Sequence, residues 1–293
     1  MDTARLTEKI RQLGRDITIE SMAGTRELYE PFHSVEPFTG VVIHRDIHYA
    51  GDERNRLDLF SPASGGDPKP VLIYVHGGGF VAGDKWTPGT PFFDNVGVWA
   101  VYNGLIGITM TYRLAPQHSW PAGIEDMHAV VRWIRKNGPG FGIDRERIYF
   151  IGHSAGAAHV ASYLAHPEIY RPDDHGLAGI ILMSGMYDLV SMEANDNIRA
   201  YYGDDPALYG PRSSVNGMAD TPLPVMLVMA EHDPPDFERQ TLDLAAALQR
   251  RRQQLPWLVH LQGHNHLSGI LHLGLPGDLL GGRLIDFIGK DIT

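Results

Sequence analysis

Residues 147–165 restrict the backbone of this chain more than any other stretch. Arg147-Ile148-Tyr149-Phe150-Ile151 is a short β-branched and aromatic run, Gly152-His153-Ser154-Ala155-Gly156 follows, and Ala155 to Ala165 is rich in alanine. The three segments read as a buried strand, a tight turn and a helix. A strand that passes straight into a helix crowds its own backbone, so positions 152 and 156 must lack bulk. The serine at the tip of such a turn sits at the positive end of the helix, where developing negative charge is favoured. The pattern G-x-S-x-G in this context is the signature of a nucleophilic serine on a strained elbow. The competing reading is an ordinary strand-to-helix turn with a capping serine.

A second glycine-rich string, His76-Gly77-Gly78-Gly79-Phe80, follows Val71-Leu72-Ile73-Tyr74-Val75, the most strand-like run in the chain. Three glycines leave backbone N–H groups unobstructed. Acyl transfer builds an oxyanion, and such donors stabilise it where the charge appears. The expected oxyanion hole is formed by the N–H groups of Gly78, Gly79 and Ala155, with His76 as a brace of the loop. A phosphate cradle is the alternative, but no Lys-Ser/Thr follows at the spacing of a P-loop.

A serine nucleophile needs a base, and the base an orienting acid. Pro224-Val225-Met226-Leu227-Val228-Met229-Ala230 reads as a strand that ends in Glu231-His232-Asp233-Pro234-Pro235. The prolines force the chain out of the sheet and present Asp233 at the strand's carboxyl end, with Glu231 and Asp236 as rival acids. The next strand, Trp257-Leu258-Val259-His260-Leu261, leads into a loop, Gln262-Gly263-His264-Asn265-His266-Leu267-Ser268. His266 is the expected base, ahead of a helix cap at Ser268, and His264 is then a loop histidine near the site. A metal reading of His260, His264, His266 and His272 lacks both H-E-x-x-H spacing and a carboxylate before Asp278. No metal and no cofactor is expected.

The rest of the chain alternates. Strands at 71–75, 105–111, 147–151, 178–183, 225–230 and 257–261 are followed by helices near 91–102, 122–136, 155–165, 236–251 and 278–289. That alternation predicts an α/β fold, a mostly parallel central sheet with helices on both faces. Ligand sites in such sheets lie at the carboxyl ends of the strands, where 76–79, 154–155, 233 and 266 all fall. Residues 41–49 and 55–60 read as an antiparallel pair. Leu6, Ile10, Leu13 and Ile17 form an amphipathic stripe, and a second short helix is expected in 21–36. The domain expectation is one unit over 1–293, with an N-terminal helical cap segment at 1–38 and a cap insertion at 186–222. Tyr187, Tyr201, Tyr202 and Tyr209 of that insertion either line a pocket or anchor it. Phe80, Trp86, Tyr187 and Tyr202 are set as substrate-pocket residues. With Phe92, Phe93 and Trp120, the bulk of Phe80 and Trp86 predicts a pocket for short acyl groups.

A net charge of −10 argues against nucleic acid and against an anionic membrane surface. The absence of cysteine excludes thiol catalysis and a disulfide framework and fits a reducing compartment. The N-terminal MDTARLTEKIRQLGRD lacks the apolar core of a signal peptide, and no apolar stretch is long enough to span a bilayer. The expectation is a cytoplasmic protein with a small-molecule ester substrate and no membrane partner.

HGGGF at 76–80, Tyr112-Arg113-Leu114-Ala115-Pro116, GHSAG at 152–156, Asp233 and His266 together resemble the hormone-sensitive-lipase-like carboxylesterases of the α/β-hydrolase superfamily. The likeness runs over roughly residues 40–290. It implies an α/β-hydrolase fold, a Ser154–Asp233–His266 triad, an oxyanion hole from Gly78, Gly79 and Ala155, and compatibility with a homodimer. Two departures stand out: GHSAG replaces the common GDSAG, and Ala157-Ala158 follows where a third glycine is frequent. GHSAGA and the Asn265-His266-Leu267-Ser268 ending also resemble kynurenine formamidases and bacterial feruloyl and acetyl-xylan esterases. The reading that follows is ester hydrolysis through an acyl-enzyme, with an amidohydrolase of the arylformamidase type as the alternative.

Overall fold

The computed structural model describes residues 2–169 and 176–289. In chain order its main elements are α1 (Thr3–Leu13), α2 (Ile19–Tyr29), β1 (Val41–His48), β2 (Arg56–Pro62), β3 (Lys69–Val75), α3 (Asp94–Tyr102), β4 (Ile106–Met110) and α4 (Ala122–Asn137). Then come β5 (Ile143–His153), α5 (Ala155–Ala165), β6 (Leu177–Met183), α6 (Asp196–Tyr202), α7 (Tyr209–Arg212), α8 (Val215–Asp220), β7 (Val225–His232), α9 (Pro235–Arg252), β8 (Trp257–Asn265), α10 (Ser268–His272) and α11 (Gly281–Gly289).

The strands form one sheet in the order β1-β2-β4-β3-β5-β6-β7-β8. β1, β2 and β4 pair antiparallel, and every pair from β4 through β3 to β8 is parallel. The central strands are apolar on both sides because both sides are covered. Val71, Ile73, Ile148, Phe150 and Leu227 face a core shared with α4, α5 and α9. Leu72, Tyr74, Tyr149, Ile151 and Met226 face a second core shared with α1, α3 and α11. This is the mostly parallel, doubly covered sheet expected from the alternation, and it agrees with the α/β-hydrolase fold that the resemblance implies, with strand carboxyl ends gathered at one rim.

Three elements depart from the expected bounds. α1 stops at Leu13, because Gly14 turns the chain with φ 77° and its N–H caps the Arg11 carbonyl. Ile17 therefore leaves the stripe of Leu6 and Ile10 and stands 44% exposed. β8 runs on to Asn265, so His264 is a strand residue and not a loop residue. Residues 186–222 are not one irregular insertion. Met186, Leu189, Ile198, Tyr201, Tyr202 and Tyr209 pack with Phe80 and Ala115 into a separate apolar cluster, whereas Met218 of α8 is buried in the core of α5 and α9. Among the described residues, no helix is long and apolar enough to cross a membrane.

Candidate active site

β5 ends at His153 and α5 begins at Ala155, leaving Ser154 alone at the junction with φ 56° and ψ −120°. That backbone region is disfavoured for a residue with a Cβ and costs on the order of 1–3 kcal/mol. The Ser154 N–H donates to the Met183 carbonyl (2.9 Å) and holds the turn. A Cβ on Gly156 would stand 2.1 Å from the Val75 carbonyl oxygen, which explains why the elbow needs glycine there.

The loop after β3 is built to leave donors open. Gly78 has φ 132° and Gly79 φ 59°. The Gly78 carbonyl accepts from the N–H groups of Val81 (3.3 Å) and Ala82 (3.0 Å). Among the described residues the N–H groups of Gly78, Gly79 and Ala155 have no hydrogen-bond acceptor. Tyr112 and Ala115 brace this loop from the Tyr-Arg-Leu-Ala-Pro string. The Tyr112 hydroxyl donates to the His76 carbonyl (2.9 Å), its ring stacks on that of His76 at 4.4 Å, and the Ala115 N–H donates to the Phe80 carbonyl (3.0 Å). His76 Nδ1 lies 2.6 Å from the Gly77 carbonyl, so this histidine acts as a buried strut.

Of the three candidate acids, Asp233 is the one that meets a histidine. His266 Nδ1 donates to Asp233 Oδ1 at 2.8 Å, while Oδ2 accepts from the Ser184 hydroxyl (2.6 Å) and the Ala230 N–H (2.7 Å). Burial alone would push the Asp233 carboxyl up, but His266, Ser184 and Ala230 outweigh it and hold its pKa below the ordinary value. Glu231 instead accepts from the Gly263 N–H (2.7 Å), and Asp236 pairs with Arg239 (2.7 Å). His266 is set by its neighbours. Asn265 Oδ1 accepts from the Leu267 and Ser268 N–H groups at 3.3 and 3.0 Å and holds the turn into α10, in which Ser268, the residue expected as the cap, is the first helical residue. The Ser268 hydroxyl lies 2.9 Å from His264 Nδ1, and His264 faces His272 rather than the site.

His153, the residue that makes GHSAG differ from GDSAG, donates from Nε2 to the His266 carbonyl at 2.7 Å. The elbow and the base are thereby tied across 113 positions. Burial, helped by the neighbouring His266, pushes the pKa of His153 down to about 3. The ring stays neutral and keeps one N–H for this bond. Neither His153 nor Ser184 was singled out from sequence for these bonds. The only visible signal was the departure from GDSAG.

Ser154, His266, Gly78 and Gly79 line one pocket of about 670 Å³. Ile17, Met22, Phe92, Phe93, Met186 and Phe237 supply apolar wall. Of the four expected substrate residues, Phe80 lines this pocket and the other three do not. Trp86 lies over the Arg45 guanidinium at 4.3 Å. Tyr187 and Tyr202 are buried in the body, 1% and 2% exposed, so they serve packing. Trp120 also lies outside the lining. The four late histidines do not converge: His266 binds Asp233, His264 pairs with His272, and His260 is exposed on β8.

The BD-FAE family profile matches residues 57–237, more than half of the chain. The chain belongs to the BD-FAE family. This BD-FAE protein is 28% identical to Esterase LipQ of Mycobacterium tuberculosis over 222 residues, 69% of this chain and 52% of that protein. It is 37% identical to Carboxylesterase NlhH of the same organism over 113 residues, 38% of this chain and 34% of that one. The chain thus spans about half or less of the length of the curated relatives it matches. Among solved structures, Esterase B of Lactobacillus rhamnosis superposes with a TM-score of 0.75 at 19% identity, over 99% of this chain and 97% of that one. The hyperthermophilic esterase of Pyrobaculum calidifontis gives 0.69 at 20% identity over 99% and 97%. These two likenesses are likenesses of fold.

The buried histidines also set an acid limit on stability. Burial is the first cause of the lowered pKa at each of four rings, pushed to about 4 at His76 and His264 and to about 3 at His153 and His159. In the unfolded chain each would bind a proton near pH 6.5. Between those values the unfolded state holds more protons, so stability falls as pH drops from about 6.5 toward 4. The Asp233 carboxyl, held low in the fold, adds its loss only below about pH 4, where the unfolded carboxylate protonates. The urea midpoint is expected to fall steadily from pH 7 to pH 5, and a flat midpoint over that interval would contradict this charge assignment.

Proposed function

We propose that this BD-FAE protein is a serine carboxylesterase that cleaves short-chain acyl esters through an acyl-enzyme on Ser154. The observation that carries the reading is the His266–Asp233 bond of 2.8 Å in the same pocket as a strained Ser154 and the open amides of Gly78 and Gly79. The esterase names of LipQ and NlhH support it.

In this mechanism His266 Nδ1 is committed to Asp233, which leaves Nε2 to take the Ser154 proton as Oγ attacks the ester carbonyl. Asp233 fixes that tautomer and stabilises the imidazolium that forms. The N–H groups of Gly78, Gly79 and Ala155 receive the oxyanion, and one such donor is typically worth ~2.7–4 kcal/mol in the transition state. His266 then protonates the departing alcohol. Water, deprotonated by the same ring, releases the acid and restores Ser154.

The preference for short acyl groups follows from Phe80. Its ring is 1% exposed, stacks on Tyr201 at 4.7 Å and meets Tyr202 edge-on at 5.3 Å, so the wall beyond Gly79 is backed by packed aromatic rings. Rates over p-nitrophenyl esters from acetate to palmitate are expected to peak at acetate to butyrate. A peak at the long chains would reject the short-acyl assignment, and no hydrolysis of any member would reject the esterase reading.

A further inference from the structure

The pocket carries one arginine that the triad mechanism leaves without a role. Met22 and Arg26 lie four residues apart on α2, one helical turn, and both line the pocket that holds Ser154. Among the described residues Arg26 is the sole lysine or arginine in that lining. Among the described residues its guanidinium has no carboxylate within ion-pair distance and makes no hydrogen bond. The other arginines near the site are committed: Arg15 to the Asp233 backbone carbonyl and the Glu238 carboxylate, Arg54 to the Tyr112 and Gly83 carbonyls.

The helix that carries Arg26 is tied to the triad. The preceding residue, Thr25, is fully buried, and its hydroxyl accepts from Asn265 Nδ2 at 2.8 Å. Asn265 is the residue before His266. The helix that carries Arg26 is thus bonded to the turn that carries the base. The Arg26 side chain is exposed at the pocket, whose lining includes one other charged group away from the triad, the Asp84 carboxylate, 4.0 Å from the Arg54 guanidinium. Guanidinium groups recognise carboxylates through paired, charge-assisted hydrogen bonds.

We propose that Arg26 binds a carboxylate on the substrate, so that esters bearing a carboxylate are preferred over neutral esters of the same shape. The assignment deepens the esterase reading and rests on it for the word ester, but the anion site can be measured without turnover. The test is calorimetric titration of the Ser154→Ala protein with 4-acetoxybenzoate and with its methyl ester, at low salt. The anion is expected to bind at least tenfold more tightly than the methyl ester. Adding Arg26→Gln should abolish that difference, Arg26→Lys should restore part of it, and the difference should shrink as salt is raised. Equal affinity for the two compounds, or a preference that survives in Arg26→Gln, would overturn the assignment. In the protein with Ser154 intact, the ratio of kcat/KM for the anionic and neutral esters should fall at least tenfold in Arg26→Gln. Anion-selective binding that depends on Arg26 without hydrolysis of either ester would reject the esterase reading and leave the anion site standing. Hydrolysis of both esters with no dependence on Arg26 would do the reverse.

Discussion

Asp233→Asn is expected to lower kcat for a p-nitrophenyl ester by about 10⁴-fold while the protein remains folded. The reason lies in which way the new amide must face. Asp233 Oδ2 accepts from both the Ser184 hydroxyl and the Ala230 N–H, so the amide oxygen of asparagine is required on that side. The NH₂ group is then directed at His266 Nδ1, the position where the carboxylate accepts now. His266 must answer with a lone pair on Nδ1 and carry its proton on Nε2, where it cannot serve as a base toward Ser154. The residue is fully buried and nearly isosteric with its replacement, so the packing is kept. Steady-state kinetics and a thermal melt on the same preparation check this together. A kcat within tenfold of the parent in a folded variant would remove Asp233 from the triad.

The parts legible in the sequence were those whose geometry is encoded within a few residues. An elbow needs glycine on both sides of Ser154, and a loop of open amides needs glycine at 78 and 79, because a Cβ there would strike Ala82 and Asn197. Alternation of apolar strands with helices specifies a covered parallel sheet, and Pro234-Pro235 marks where β7 gives out and Asp233 is presented. What was not legible depends on packing between distant segments. Ser184 supports Asp233 from 49 positions away, and His153 holds the His266 carbonyl from 113. Gly14 ended the helix that the stripe of Leu6, Ile10 and Leu13 extended to Ile17, and Ile17 joined the pocket instead. Aromatic identity does not encode side. Trp86 was drawn to Arg45, and Tyr187 and Tyr202 into the body, while Phe92, Phe93 and Phe237 reached the pocket wall. The N-terminal segment contributes Ile17, Met22 and Arg26 to that wall through a bond between Thr25 and Asn265 that no local pattern announces.

Loss of the nucleophile should have the largest effect of all. Ser154→Ala is expected to reduce kcat by on the order of 10⁵–10⁶-fold, because base and acid are idle without the hydroxyl they activate. Removing one oxygen from a buried elbow leaves β5, α5 and the bond from the residue 154 N–H to the Met183 carbonyl in place. The same side chain offers the most direct measurement of the whole account. A fluorophosphonate reacts with a serine whose proton a nearby imidazole can take, and intact-mass and peptide mass spectrometry report where it lands. One adduct per chain on Ser154, absent from Ser154→Ala and strongly slowed in Asp233→Asn, is the predicted result. An unlabelled Ser154 in a protein that still hydrolyses esters, or an adduct on another residue, would contradict it.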